Sequence, residues 1–483
     1  MSDKKYYPII GLEIHVQLNT VTKLFCNCLN EYAPDSPNKN ICPFCTGQAG
    51  ALPVLNKEAV KKAILLGQSI QAKIPTKTRF DRKNYFYPDL PSGYQISQYD
   101  NPIVEGGLIE LYIEDKETGS YTESKVEITR AHLECDAAKL LHLGGKTMVD
   151  FNRSCAPLVE IVTEPCIISS GQAMAFVNEL QLLVRTLGIS DGDMEKGQMR
   201  FDCNLSLRNE EEYSNNKLPS YRTETKNINS VRSLGRAIEY EIIRQTALLE
   251  SGIRPIQETR GWKDDQNKSI SQRSKEEAMD YRYFPDPDLQ ILEISLDDLV
   301  DISELPIIPH KKRKALIQKG LSIQIANTIN DNLGLSQYFE ALNDDSNTKT
   351  LANILTGPIT SKLKNSNNKI EEIYSLKQVL DLVNLVQLGQ ISNQNINKIL
   401  DLVYDTEIDI LSIVQDNNLI IINDTEFLEA IVKTVLEANT GIVKEYKAGK
   451  VQLIGFLIGQ CMKQAKGQGN AQVFGNIIKS KLD

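Results

Sequence analysis

Two close pairs of cysteines, Cys26-x-Cys28 and Cys42-Pro43-Phe44-Cys45, stand thirteen residues apart. Four thiolates so spaced are the donor set of a tetrahedral structural Zn2+, with every coordination position filled by protein. A redox Cys-x-x-Cys is a weaker rival because no clear helix start follows Pro43-Phe44, and two fortuitous pairs are the bland alternative. The other cysteines, Cys135, Cys155, Cys166, Cys203 and Cys461, are scattered singly. An odd, mostly scattered set argues against a disulfide scaffold, and all of these except Cys135 read as small buried hydrophobes.

Carboxylates and imidazoles recur at strand spacing. In Gly11 to Leu18 a period of two puts Leu12, Ile14, Val16 and Leu18 on one face and Glu13, His15 and Gln17 on the other. In Val126 to Asp136, Arg130, His132, Glu134 and Asp136 share one parity, and Ala131, Leu133 and Cys135 take the other. Glu160 and Glu164 share a face in Leu158 to Glu164. In Arg200 to Arg208, Arg200, Asp202, Asn204, Ser206 and Arg208 oppose Phe201, Cys203, Leu205 and Leu207. Solvent faces of antiparallel strands would show the same alternation. Acids grouped with a neutral imidazole are also what a hard divalent cation and a phosphate-bearing substrate require.

Other chemistries are missing. Gly144-Gly145-Lys146-Thr147 is no phosphate loop, because G-x4-G-K-T needs glycine where Leu140 stands. There is no G-x-S-x-G and no other evident acyl-transfer or ammonia-releasing nucleophile.

The elements that must carry these residues divide the 483-residue chain in three. Short alternating runs punctuated by Gly, Pro and Asn dominate up to about residue 295, with helices at Lys57–Ala72, Gln172–Leu187 and Val231–Ser251, so residues 1–295 read as an α+β domain. Beyond Pro306 and Pro309 helical periodicity takes over, giving a helical domain over 296–405 and a helical tail over 406–483. Charge marks the last boundary: Asp401 to Thr440 carries nine acids and one Lys, whereas Gly441 to Asp483 carries seven Lys and two acids. Lys463, Lys466, Lys479 and Lys481 fall on helices whose apolar positions Val451, Ile454, Ile458 and Cys461 should face inward. The net charge of −9 confines any nucleic-acid contact to such a local patch. No run reaches the roughly 20 apolar residues of a membrane span, and the start lacks a signal-peptide pattern, so a cytoplasmic location is expected.

With these residues in view, the chain resembles nearly end to end the GatB family, the B subunits of the aspartyl/glutamyl-tRNA(Asn/Gln) amidotransferases. The resemblance rests on Gly11-Leu-Glu-Ile-His15, Phe80-Asp-Arg-Lys-Asn-Tyr-Phe-Tyr-Pro-Asp-Leu-Pro91, Gly93-Tyr-Gln-Ile-Ser-Gln98, Pro157-Leu-Val-Glu-Ile-Val-Thr-Glu-Pro165, Lys226-Asn-Ile-Asn-Ser230 and Asp280-Tyr-Arg-Tyr-Phe-Pro-Asp-Pro-Asp288. It implies a cradle-like mixed-sheet catalytic domain, a helical domain and a tail that engages tRNA. It also implies a ligase reaction: ATP-dependent phosphorylation of the glutamate or aspartate side chain on a misacylated tRNA, then displacement of phosphate by ammonia. The ammonia would come from a partner glutamine amidase, the A component of the assembly, with a small C component bracing the pair, which fits the missing nucleophile.

Carried over motif by motif, the resemblance puts Mg2+ on His15, Cys135 and Glu160, with Glu13 close by, and a polar ammonia path on Lys83 and Asp202. Cys135 stands where the family usually has an acid or amide, and Ser92 where it is often basic. Cys135 also has the opposite parity from Glu134, so the strand must bulge there or the face assignment fails. The competing reading is a zinc-stabilised tRNA-binding scaffold without chemistry of its own.

Overall fold

The computed structural model describes residues 5–482, apart from 32, 34, 116, 275–279, 344, 365–368, 418, 422–424 and 466–468. Two compact units divide the chain, Met1–Lys311 and Lys312–Asp483.

The first unit is built on the alternation of its opening strand, Tyr7–Gln17, where Leu12, Ile14 and Val16 are almost fully buried and Glu13 and His15 only half so. Apolar residues of one parity need a partner surface, and the strand finds it at the centre of a nine-stranded sheet. On one side it pairs antiparallel with Pro157–Thr163, which pairs with the long strand Tyr121–Cys135. On the other side lies Met199–Arg208, followed by Thr223–Ile228, Glu258–Lys263 and Lys268–Ser274. Thr223–Ile228 and Glu258–Lys263 run parallel, which makes the sheet mixed. Helices Lys57–Ser69, Ser170–Thr186 and Val231–Glu250 supply Ile64, Phe176, Leu180, Leu234 and Ile238 to the same core. Each starts at a side chain that accepts a backbone N–H: Asn56, Ser169 and Ser230.

A small sheet of Asp81–Asn84, Tyr94–Ser97 and Phe284–Pro285 brings together two of the aromatic motifs, pairing Arg82 with Phe284 and Lys83 with Gln95. The expected boundary at 295 falls inside this unit, because the Gln68 side chain both donates to and accepts from the Val300 backbone.

Among its described residues the second unit has helices and no strands, ending with Ala471–Leu482. It holds two separate apolar cores. One runs from Leu321 to Leu419 and takes in Ile410 and Val414; the other runs from Leu428 to Leu482. The change of core therefore lies after Leu419 rather than at 405. Among the described residues, no helix is long and apolar enough to cross a membrane.

Candidate active site

Strand register assembles the polar residues. Arg200, His15, Glu160 and His132 lie directly opposite one another in a single row across four strands. Two residues along, Asp202, Glu13, Val162 and Arg130 form the next row. Because the apolar parity of each strand is committed to the helices, these side chains emerge together on the other face. There they line a cavity of about 720 Å³.

At its floor His15 Nε2 lies 3.2 Å from Glu134 Oε1 and 3.2 Å from Glu160 Oε2. One ligand atom from each residue falls within 4.8 Å of the others. His132, itself buried, brings its Nε2 to 3.7 Å from Glu160 Oε2. Burial opposes a charge on His15, but hydrogen bonding to Glu134 and Glu160 outweighs it and pushes the imidazole up to about 10. Burial likewise opposes ionisation of Glu160, yet the two imidazoles hold it well below the usual carboxylate range. Both directions favour a protonated His15 between two ionised carboxylates. A divalent cation on the same donors would take the place of that proton, and two carboxylates with room for phosphate oxygens beside them suit Mg2+.

The walls are charged. Lys226 Nζ pairs with Asp202 at 2.9 Å and Glu224 at 3.1 Å, and Asn204 Nδ2 donates to Glu13 Oε1 at 2.9 Å. Burial, reinforced by Glu160, raises the Glu13 carboxyl above its ordinary value. Lys83 lies with its Nζ 4.9 Å from the centre of the Tyr281 ring. Burial works against its charge, but Glu134 and further negative neighbours overcome that and raise it.

Glu13, His15, Lys83, Glu160 and Asp202 therefore meet in one cavity, whereas Cys135 does not join them. The strand runs to Cys135 without a bulge at that end, since its register shift against Pro157–Thr163 lies between Val162 and Thr163. Parity then decides: Glu134 enters the cavity, and Cys135 turns to the apolar side, where its Sγ is 2.9 Å from that of buried Cys155. Glu134 takes the position expected of Cys135. Ser92 lines a separate small cavity beside these two thiols. Glu164, one residue past its strand, accepts from Thr129 and is not part of the main cavity. Lys226 and Glu224 belong to the site without having been singled out by spacing, although Thr223-Glu-Thr-Lys alternates with period two and could have marked their strand.

The four cysteines also converge. The Sγ atoms of Cys26 and Cys45 are 3.6 Å apart and those of Cys42 and Cys45 3.8 Å, with all four within 4.8 Å. Thiolates at the corners of a zinc tetrahedron stand about 3.8 Å apart, given Zn–S bonds of ~2.3 Å, so the set fits that ion. The fully buried Lys23 places Nζ 3.2 Å from Cys45 Sγ and 3.2 Å from the Phe151 carbonyl oxygen. Hydrogen bonding from Cys26, opposed by burial and assisted by Lys23, lowers the Cys45 thiol.

In the second unit Lys463, Lys479 and Lys481 are exposed, the last 3.5 Å from Glu429. Lys466 lies outside the described residues. Cys461 is buried and Ile454 and Ile458 pack against the same core, but Val451 is exposed, contrary to its expected inward position.

Comparison with known proteins matches both units of the chain. Residues 8–300 match the GatB/GatE catalytic domain and residues 337–482 the GatB domain. The chain is 43% identical to the B subunit of the aspartyl/glutamyl-tRNA(Asn/Gln) amidotransferase of Helicobacter hepaticus, with 99% of each chain covered. It is 42% identical to the protein of the same name from Crocosphaera subtropica, over 99% of this chain and 98% of that one. With both units matched and coverage nearly complete, the chain belongs to the family of aspartyl/glutamyl-tRNA(Asn/Gln) amidotransferase B subunits.

Proposed function

We propose that this chain carries the transamidation site of a tRNA-dependent amidotransferase. The glutamate or aspartate side chain of a misacylated tRNA attacks the γ-phosphorus of ATP, giving an acyl phosphate and ADP. Ammonia then attacks the acyl carbon, phosphate leaves, and one proton is lost from nitrogen. The observation that carries this reading is the His15, Glu134 and Glu160 group at the floor of a charged cavity. Mg2+ held there would neutralise phosphate charge as the acyl oxygen attacks.

The chain's own residues do the rest. Glu13, raised by burial and bonded to Asn204, is placed to take the proton that ammonia sheds. Lys83 and Asp202, with Lys226 beside the latter, line a polar approach for ammonia supplied by the partner amidase, the A component, in an assembly braced by the small C component. Cys26, Cys28, Cys42 and Cys45 hold a structural Zn2+. Lys463, Lys466, Lys479 and Lys481 in the tail contact the tRNA body.

Ammonium chloride can replace the amidase in the assembled complex, with Glu-tRNA(Gln), ATP and Mg2+ as substrates. Gln-tRNA and ADP should appear in equal amounts, and neither without ATP. Binding of the tRNA with no product at any ATP concentration would overturn the proposal in favour of a scaffold.

A further inference from the structure

Two arginines flank the metal-capable group, and neither is accounted for by the chemistry above. Arg200 is the direct strand neighbour of His15 on one side. Arg130 lies on the other side, two residues before His132 on the strand that pairs with Glu160. Both line the cavity.

Their surroundings differ. The Arg200 guanidinium is steadied by a 2.8 Å bond to Asp136, whose carboxylate is buried and also lies 3.5 Å from Arg153 Nε. Arg153 is fixed in turn by the carbonyl oxygens of Ala137 and Ala138. Arg200 is therefore held in place from behind, while its Nε remains buried without an acceptor. The Arg130 side chain has no hydrogen-bond or ion-pair partner among the described residues, and its Nε is likewise buried and unbonded. A buried donor without an acceptor costs free energy. Lys226 is doubly paired with acids, whereas Arg130 has no carboxylate partner and Arg200 keeps an unbonded Nε, so both have donor capacity left for an anion. The planar fork of guanidinium suits phosphate oxygens in particular.

Resting on the transamidation reading, we infer that Arg130 and Arg200 are the two arms of a phosphate clamp astride His15, Glu134 and Glu160, with Arg200 preset by Asp136 and Arg130 engaged by the ligand. The phosphate belongs either to ATP or to the backbone of the tRNA 3′ end. Two arginines on opposite sides of the metal group would orient phosphate oxygens toward it and spread the charge that builds up there.

The test begins with wild-type complex, so it does not depend on a variant folding. Phenylglyoxal labelling of arginines, mapped by peptide mass spectrometry, is compared without ligand, with a non-hydrolysable ATP analogue plus Mg2+, and with uncharged tRNA(Gln). Protection of Arg130 and Arg200 by the analogue assigns the clamp to ATP, and protection by tRNA alone assigns it to the backbone. Unchanged labelling of both residues by either ligand overturns the inference.

R130K and R200K then serve as functional checks, with zinc content and melting temperature as controls for folding. Each is expected to lower kcat/KM about 10- to 100-fold for the substrate that protects. Retention of both kcat/KM values within twofold in folded R130K would also overturn the inference. If wild-type complex gives no ATP-dependent product, transamidation itself fails, whereas the labelling result still judges the clamp.

Discussion

At the scale of the residue, the decisive contrast is between Glu134 and its neighbour Cys135. One step along a strand exchanges the polar face for the core, so a motif carried over by position alone places the ligand one residue late, while the period-two pattern puts Glu134 beside His132. The two can be separated. Replacing Glu134 by Gln removes a charge from the cavity floor and should lower ATP-dependent transamidation at least ~100-fold, measured as initial rate at saturating substrates. Cys135→Ala touches only the core side and Cys155. It should leave that rate within about twofold while costing about 1 kcal/mol of stability, read from denaturant unfolding. A large rate loss in Cys135→Ala with intact stability would return that residue to the site.

Elements explain why these residues meet. The alternation of Tyr7–Gln17 and Met199–Arg208 is legible in the sequence because apolar and polar residues separate cleanly on a half-buried strand. Which strands become neighbours is not, since His15 finds Glu160 and Arg200 only through pairings across more than 140 residues, and nothing local encodes register at that distance. Val451 departs from its expected inward position because it belongs to the short turn of helix Val451–Leu453, ahead of the regular helix beginning at Ile454, where extrapolated periodicity no longer holds.

The four-cysteine segment is tied to the rest of its unit by several short links. Asn56 caps the first helix through the Glu58 N–H and donates back to the Thr22 and Lys23 carbonyls, and Ser154 Oγ donates to the Cys45 carbonyl. Asn56→Ala should therefore cost about 1 to 2 kcal/mol in unfolding experiments. Purified protein should hold one equivalent of zinc by elemental analysis, and removing it with a chelator should lower the melting temperature, because the loop loses its cross-link. Absence of stoichiometric zinc would leave the four thiols as a packed cluster.

For the whole molecule, the proposal places catalysis in the first unit and tRNA capture at the basic end of an otherwise acidic chain. Lys463 and Lys479 are exposed on helices of the last core, and replacing both by Ala should weaken tRNA binding and flatten its salt dependence by roughly one unit of log–log slope per lost phosphate contact. The rate at saturating tRNA should be unaffected. That end of the chain is readable as basic and helical from composition, but the limit of its core is not. Ile410 and Val414 pack with helices that begin some ninety residues earlier, a tertiary choice that charge does not reveal. Everything proposed for catalysis depends on whether His15, Glu134 and Glu160 bind a divalent cation. The most direct measurement is titration with Mn2+ followed by electron paramagnetic resonance, on zinc-loaded wild type, Glu134→Gln and Cys135→Ala. One cation site in wild type and in Cys135→Ala, lost or weakened at least tenfold in Glu134→Gln, is the expected result; equal binding by all three proteins would contradict it.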